Sequence, residues 1–257
     1  MVLVSQLQFN LASKGSDAPQ YRCRVDLNLY DSPQCEALAT QASEGRLLRI
    51  ALPPTEGAVG VKLCEDDYPG WLALTDLENL ELSESPYQAI ARDRTQIEPQ
   101  IPAIIAFTHQ AMSVPNQYLW GGTVAPNYDC SGLMQAAFRT AQVWLPRDAY
   151  QQEGFTQPIP LDQLQTGDLV FFGPPEKATH VGLYLWEGRY IHSSGKKGGR
   201  NGIGIDVLSE NSDDPVSRNY YQQLRGAGRV LTSYLPQDSE TYSVEILTLV
   251  NKWRKNH

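Results

Sequence analysis

A loop that turns into a helix at a cysteine is the feature that most constrains this chain. From Tyr118 to Tyr128 the sequence is interrupted by Gly121, Gly122 and Pro126 and reads as loop. After Asp129 the apolar residues Leu133, Met134, Ala137, Phe138 and Ala141 fall at helical spacing, with no breaker before Pro146. Asp129 is a good N-cap residue, which places Cys130 in the first helical turn. A thiol there faces the positive end of the helix dipole, so its pKa is expected to fall. The position suits a nucleophile, provided that the chain also supplies a base.

The bulk composition sets outer limits. A chain of 257 residues accommodates one large or two modest domains. Hydrophobic content of 41% and charged content of 19% describe a globular protein and exclude a disordered one. A formal charge of −8 argues against nucleic acid or anionic lipid as the main partner. Residues 1–10 lack a basic region followed by a sustained apolar run, and no stretch approaches the length of a membrane span. A cytoplasmic protein with no membrane partner is expected. Cys23, Cys35, Cys64 and Cys130 form no CxxC pair and are expected to be reduced, the first three as small buried hydrophobes.

Residues 16–83 read as a small all-β unit. Short β-prone runs at Tyr21–Tyr30, Leu47–Leu52 and Val59–Cys64 alternate with turn signals at Asp31-Ser32-Pro33, Pro53-Pro54 and Gly57, a pattern that predicts a small barrel. Residues 84–102 form a proline-punctuated connector, with helix-forming residues from Pro86 to about Ile97. The second domain is expected over 103–235. It opens with a helix over Ala103–Met112 and continues into the Cys130 helix. A loop then runs from Pro146 to Pro160, and β-prone runs follow at Leu169–Phe172, His180–Trp186 and Arg189–His192. Short edge strands are expected near Ile205–Val207 and Arg229–Leu231, and residues 236–257 form a tail with helical spacing over Glu240–Trp253. A helix followed by antiparallel strands makes the domain α+β.

The hairpin supplies the base. A three-residue loop, Trp186-Glu187-Gly188, with Gly188 at positive φ and a bulge, sets Leu185 opposite Arg189 and His192 opposite Gly182. Side chains alternate along a strand, so His180 and His192 then share a face one diagonal step apart. A two-residue loop would put them on opposite faces. In the three-residue register His180 can act as general base, with His192 accepting its Nδ1–H.

Four motifs in order carry a resemblance: Tyr118-Leu-Trp-Gly-Gly122 leading to Asp129-Cys-Ser-Gly132, then Thr166-Gly-Asp-Leu-Val-Phe-Phe172, then His180-Val-Gly-Leu-Tyr184, then Ile191-His192. Over about residues 103–232 the chain resembles the NlpC/p60 family of cell-wall cysteine peptidases. The resemblance implies a papain-like α+β fold with Cys130 as nucleophile, His180 as base, His192 as the third member and Tyr118 as an oxyanion-stabilising hydroxyl. The runs Asp26–Pro33 and Pro69-Gly-Trp-Leu72 are similar to bacterial SH3-like domains found beside cell-wall enzymes. The two together resemble γ-D-glutamyl-L-diamino acid endopeptidases. That resemblance implies action on peptides such as L-Ala-γ-D-Glu-diaminopimelate, with Tyr68, Asp129 and Ser131 recognising the free amine of L-alanine; a monomer is expected. Such chemistry needs no cofactor and no metal, and the need for a free amine, with no leader expected at residues 1–10, suggests a role in cell-wall recycling.

Blander readings compete with these. Zinc could use one Cys and two His, but the ligand spacing is wrong and no fourth ligand suggests itself. Without the resemblance, Tyr68 is an aromatic of a small β domain and more often packing than substrate contact. Gly195–Arg200 lacks the setting of a phosphate loop and reads as a solvated loop, with Lys196, Lys197 or Arg200 offering a weak hypothesis for a substrate carboxylate. A non-catalytic wall- or peptide-binding module is the rival function.

Overall fold

The computed structural model describes residues 18–236 and resolves two compact units that divide between Ala89 and Ile90. The N-terminal ten residues and the tail expected over Glu240–Trp253 lie outside the described residues.

The first unit is all β: β1 (Gln20–Cys23), β2 (Leu27–Tyr30), β3 (Leu38–Ala42), β4 (Leu47–Thr55), β5 (Ala58–Leu63), β6 (Pro69–Ala73) and β7 (Leu80–Leu82). They form one antiparallel sheet in the order β3-β2-β6-β5-β4-β1-β7. Among the described residues no pairing joins β3 to β7, so the expected barrel is an open sheet. Its strands are short and bent by register shifts, at Leu29/Tyr30 in β2 and twice in β4, and β2 meets β6 at Tyr30 and Trp71. The bends wrap the sheet around one apolar core that includes Leu29, Leu48, Val61, Leu63, Leu72 and Leu80. Pro53 and Pro54, expected to end a strand, lie inside β4. They fall in the irregular stretch between Leu52 and Thr55, where the ladder demands no N–H from them. Strands β3 and β7 were not legible beforehand, because Leu38–Ala42 mixes polar and small residues and Leu80–Leu82 is only three residues long.

The second unit begins with α1 (Arg94–Ile97) and α2 (Ile101–Ser113). The helix expected from Pro86 shrinks to one turn, started by the Asp93–Gln96 capping box. Ile97 and Ile101 are buried in this unit's core, so the end of the connector is structurally part of the second unit. A two-stranded hairpin, β8 (Thr123–Val124) and β9 (Asn127–Tyr128), precedes α3 (Cys130–Arg139). Every residue of α3 from Cys130 to Phe138 is buried, since it packs on α2 and on strands β12 (His180–Tyr184) and β13 (Arg189–Ser194). Such a helix is apolar nearly all round, as an internal helix must be.

The stretch expected as loop from Pro146 holds α4 (Ala149–Phe155) and β10 (Gln157–Ile159). Gln151 accepts the Asp148 N–H at 3.0 Å, a helix-start signal that the glycine and prolines nearby obscure. The remaining elements are β11 (Leu169–Phe172), β14 (Gly202–Val207), α5 (Pro215–Gln222) and β15 (Leu224–Arg229). The sheet order is β10-β15-β11-β12-β13-β14. Strand β14 is an edge, as expected, whereas β15 starts earlier than expected and lies inside the sheet between β10 and β11. The unit is α+β, with α3 laid against the centre of an antiparallel sheet.

Candidate active site

Cys130 occupies the first turn of α3, and its position is fixed by the loop that precedes it. Asp129 caps the helix, accepting the Gly132 N–H at 2.6 Å, and its other oxygen accepts the Gly121 N–H at 2.9 Å. Gly121 has φ +79°, which lets the loop fold back over the carboxylate. A Cβ on Gly132 would fall 2.0 Å from the Gly122 carbonyl oxygen, so the helix start and the loop fit only with glycine there.

The backbone N–H groups of Ser131 and of Val181, the residue that follows His180 on β12, lie near enough to the Cys130 sulfur to favour its thiolate. The thiol therefore sits at the beginning of the strand that carries the imidazole. The expected depression of its pKa is reversed. Burial pushes the thiol up to about 12, with Asp129 adding to the rise, and this outweighs the nearby backbone N–H groups and Arg147. His180 is buried and its pKa falls well below the ordinary value, through burial and then through His192. The resting pair is a neutral thiol and a neutral imidazole.

The hairpin register follows the three-residue count. Leu183 pairs with Ile191 and Tyr184 with Tyr190, and the Leu185 N–H donates to Arg189 at 2.9 Å. Continuing that register sets Gly182 against His192, where a glycine Cβ would come 3.3 Å from the His192 Cβ. Gly188 has φ +73°, and Glu187 joins it at φ +50°. The tip is thus a mirror-image turn with Trp186 as the extra, bulged residue.

His180 and His192 meet edge to face, with His180 Nε2 at 2.6 Å from His192 Nδ1. The nitrogen of His180 that engages its neighbour is Nε2, not the Nδ1 expected. His192 Nε2 in turn lies 2.7 Å from Asp206 Oδ2. Asp206 is buried on β14, bonded also to Arg200 and to Ser217 Oγ at 3.1 Å. Tyr220 of α5 stacks on His180 at 4.6 Å and hydrogen-bonds Ser194 at 2.8 Å. The half-buried Tyr118 packs beside Gly195, and its phenol pKa is raised by burial and then by the proximity of Cys130. A thiol, an imidazole held by a second imidazole, and a phenol that feels the sulfur's charge are the kinds of group that acyl transfer uses.

Residues 115–225 match the NlpC/P60 family. The chain carries a domain of the NlpC/P60 family. Residues 29–77 match the bacterial dipeptidyl-peptidase SH3 domain. The chain is similar to the gamma-D-glutamyl-L-lysine dipeptidyl-peptidase of Bacillus subtilis (strain 168), 38% identical over 95 residues that cover 36% of this chain and 30% of that protein. It is also similar to a bifunctional muramidase/DL-endopeptidase of the same organism, 43% identical over 81 residues covering 30% of this chain and 25% of the other. The matched stretches thus span less than a third of the length of these relatives. Among solved structures, an NlpC/P60 family protein from Bacillus cereus ATCC 10987 aligns with a TM-score of 0.45 and 21% identity, covering 84% of this chain and 65% of that one.

Within the NlpC/P60 domain, Asp129 and Ser131 are turned inward. Asp129 accepts from Gly121, Gly132, Ser131 and both terminal nitrogens of Arg147, and Arg147 also donates to Ser131 Oγ at 3.0 Å. An ammonium reaching Asp129 would have to exchange with one of these donors. Arg200, expected in a solvated loop, is bound to Asp206 and Asp214 and is not free for a substrate carboxylate. Lys196 and Lys197 lie in a single 3-10 turn. Tyr68 belongs to the first unit, where it packs against that unit's core.

Sequence reading missed Asp206, Arg147 and Tyr220. A signal for Asp206 existed: it is a lone carboxylate in the β-prone run Ile203-Gly-Ile-Asp-Val207. Nothing local pointed to Arg147. All four cysteines are free; Cys23 and Cys64 are buried, whereas Cys35 is only half-buried. Among the described residues no group of three or more His, Cys, Asp or Glu is arranged to hold a metal, and no helix is long and apolar enough to cross a membrane.

Proposed function

We propose that this protein is a cysteine peptidase that hydrolyses the γ-D-glutamyl–diamino acid bond of peptidoglycan stem peptides with a free N-terminal L-alanine. The observation that carries this reading is the seat of Cys130, at a helix start with its sulfur against the backbone next to His180, whose far side is held by His192. The names of relatives support the choice of bond, one being a gamma-D-glutamyl-L-lysine dipeptidyl-peptidase and another a DL-endopeptidase.

In the first half-reaction the Cys130 sulfur attacks the γ-carbonyl carbon as His180 takes the thiol proton. The Cys130 backbone N–H and the Tyr118 hydroxyl donate to the oxyanion. Collapse of the tetrahedral intermediate breaks the C–N bond, and His180 returns the proton to the departing amine. A thioester remains. His180 then deprotonates water, which attacks the thioester carbon and frees the dipeptide acid and the thiol.

An enzyme that removes a dipeptide must sense the free amine. In this reading Asp129 and Ser131 sense it by exchanging a donor with Arg147. Stem peptides still joined to the glycan through lactate lack that amine, which points to recycling of released fragments.

Incubation with L-Ala-γ-D-Glu-diaminopimelate, its lysine counterpart and the N-acetylated forms, followed by mass spectrometry, tests the reading. The free-amine peptides should release L-Ala-γ-D-Glu, and Cys130→Ala should release none. Equal cleavage of acetylated and free peptides would remove the amine requirement. No cleavage of any would remove the peptidase assignment and leave a binding module.

A further inference from the structure

We propose that Asp206 is a positioning residue that sets the tautomers of His192 and His180, so that His180 keeps a bare Nδ1 as the base. The inference rests on reading Cys130 and His180 as the reacting pair.

The three side chains lie on neighbouring strands in a regular diagonal. Gly182 stands opposite His192 on one side and Gly204 on the other. His180 is two residues before Gly182, and Asp206 is two residues after Gly204. All three therefore project from the same face, and the two glycines leave the central ring space to reach both ways. The contacts are 2.6 Å between the histidines and 2.7 Å from His192 to Asp206, with His192 and Asp206 almost wholly buried.

Proton placement follows from these contacts. A neutral imidazole carries one N–H and one acceptor nitrogen, and a carboxylate only accepts. Asp206 therefore requires the proton of His192 on Nε2. His192 Nδ1 is then an acceptor, and the contact to His180 requires the His180 proton on Nε2. His180 Nδ1 is the only ring nitrogen left to take a proton from a thiol. Without a carboxylate at 206 the chain can reverse, placing the His180 proton on Nδ1 and leaving no base there.

The surroundings of Asp206 hold it ionised. Arg200 from the loop before β14 and Ser217 from α5 donate to it, and Arg200 also binds Asp214 at the α5 N-cap. Tyr190 on β13 and Tyr220 on α5 are the other titratable groups that feel its charge. Burial pushes the carboxyl pKa up, but the hydrogen bonds from His192 and Arg200 and the Arg200 charge prevail and hold it below the usual carboxylate range.

The test uses the full chain and its Asp206→Asn variant, with two readouts that need no substrate. Long-range proton–nitrogen spectra of the wild type at neutral pH should show both histidines protonated on Nε2. In D206N, at least one should shift to Nδ1–H, and alkylation of Cys130 by iodoacetamide at pH 7 should slow. For peptide cleavage, kcat should fall by about 10²–10⁴-fold with KM changed far less, the scale on which a misplaced imidazole tautomer acts. Wild-type spectra with His180 protonated on Nδ1 would overturn the proposal, as would a D206N protein with unchanged tautomers. If D206N fails to fold, the wild-type spectra decide alone. Nε2 tautomers in a wild type that cleaves no peptide would uphold the relay and sink the peptidase reading instead.

Discussion

Arg147 meets both oxygens of Asp129, at 3.1 and 2.6 Å, in the turn that starts the helix carrying Cys130. The pair is buried, and the same guanidinium donates to Ser131 on the other side of the cysteine. It clamps the residues before and after Cys130. Removing the cation strands a buried carboxylate, and breaking such a pair costs about 3–5 kcal/mol. Arg147→Met should therefore lower the unfolding free energy by about that much in urea titration. Arg147→Lys keeps the charge but not the fork, and should fall between the two. Wild-type stability in R147M would contradict the clamp.

The thiol has a distinctive pH response. Its pKa is pushed up to about 12, chiefly by burial, and His180 is neutral at pH 7. No thiolate–imidazolium pair forms at low pH. The rate of iodoacetamide alkylation of Cys130 should climb through pH 6–9 by up to about tenfold per unit, as the thiolate fraction does for a thiol of high pKa. A reactive plateau extending below pH 6 would refute this.

In the proposed mechanism Tyr118 acts on the chemical step and not on binding. Its phenol stays protonated, because burial and the nearby Cys130 raise its pKa, so it can donate to an oxyanion. Tyr118→Phe should reduce kcat by about 10²–10³-fold with little effect on KM, the scale for loss of one oxyanion donor. A change confined to KM would assign Tyr118 to substrate binding.

Acid should destabilise the second unit in two stages. Burial lowers the pKa of both His180 and His192, with His192 further affecting His180 and Asp206 opposing the shift in each. The unfolded chain binds protons on both rings as pH falls through about 6.5, and the folded chain resists, so stability is lost from there downward. Asp206 has a lowered pKa, so the stability it contributes is present above about 4 and is lost as pH falls further. Urea midpoints should decline steadily from pH 7.5 to 5. Replacing His192 by a residue that does not titrate should flatten the first stage, if the variant folds. A constant midpoint across that range would contradict the assignment.

Local chemistry was enough to place several of these groups. The Asp129 cap put Cys130 at a helix start, and Gly188 at the hairpin tip put His180 and His192 on one face. Both follow from backbone periodicity and from one residue's φ preference, which act over a few positions. The helix at Ala149–Phe155 was missed for a local reason too, since Gly154 and the flanking prolines hid its capping box. Other features depended on the assembled unit. Asp206 reaches His192 only because β14 docks beside β13, and Arg147 reaches Asp129 across 18 positions of chain. The Cys130 thiol pKa reversed for the same reason: the helix end that lowers it is written in a few adjacent residues, whereas the burial that raises it comes from α2, β12 and β13 closing around the helix. Short stretches of chain are enough to say which groups stand together and on which faces. Their protonation and their partners come from the assembled unit, because desolvation and charge pairing are set by residues far apart in the chain.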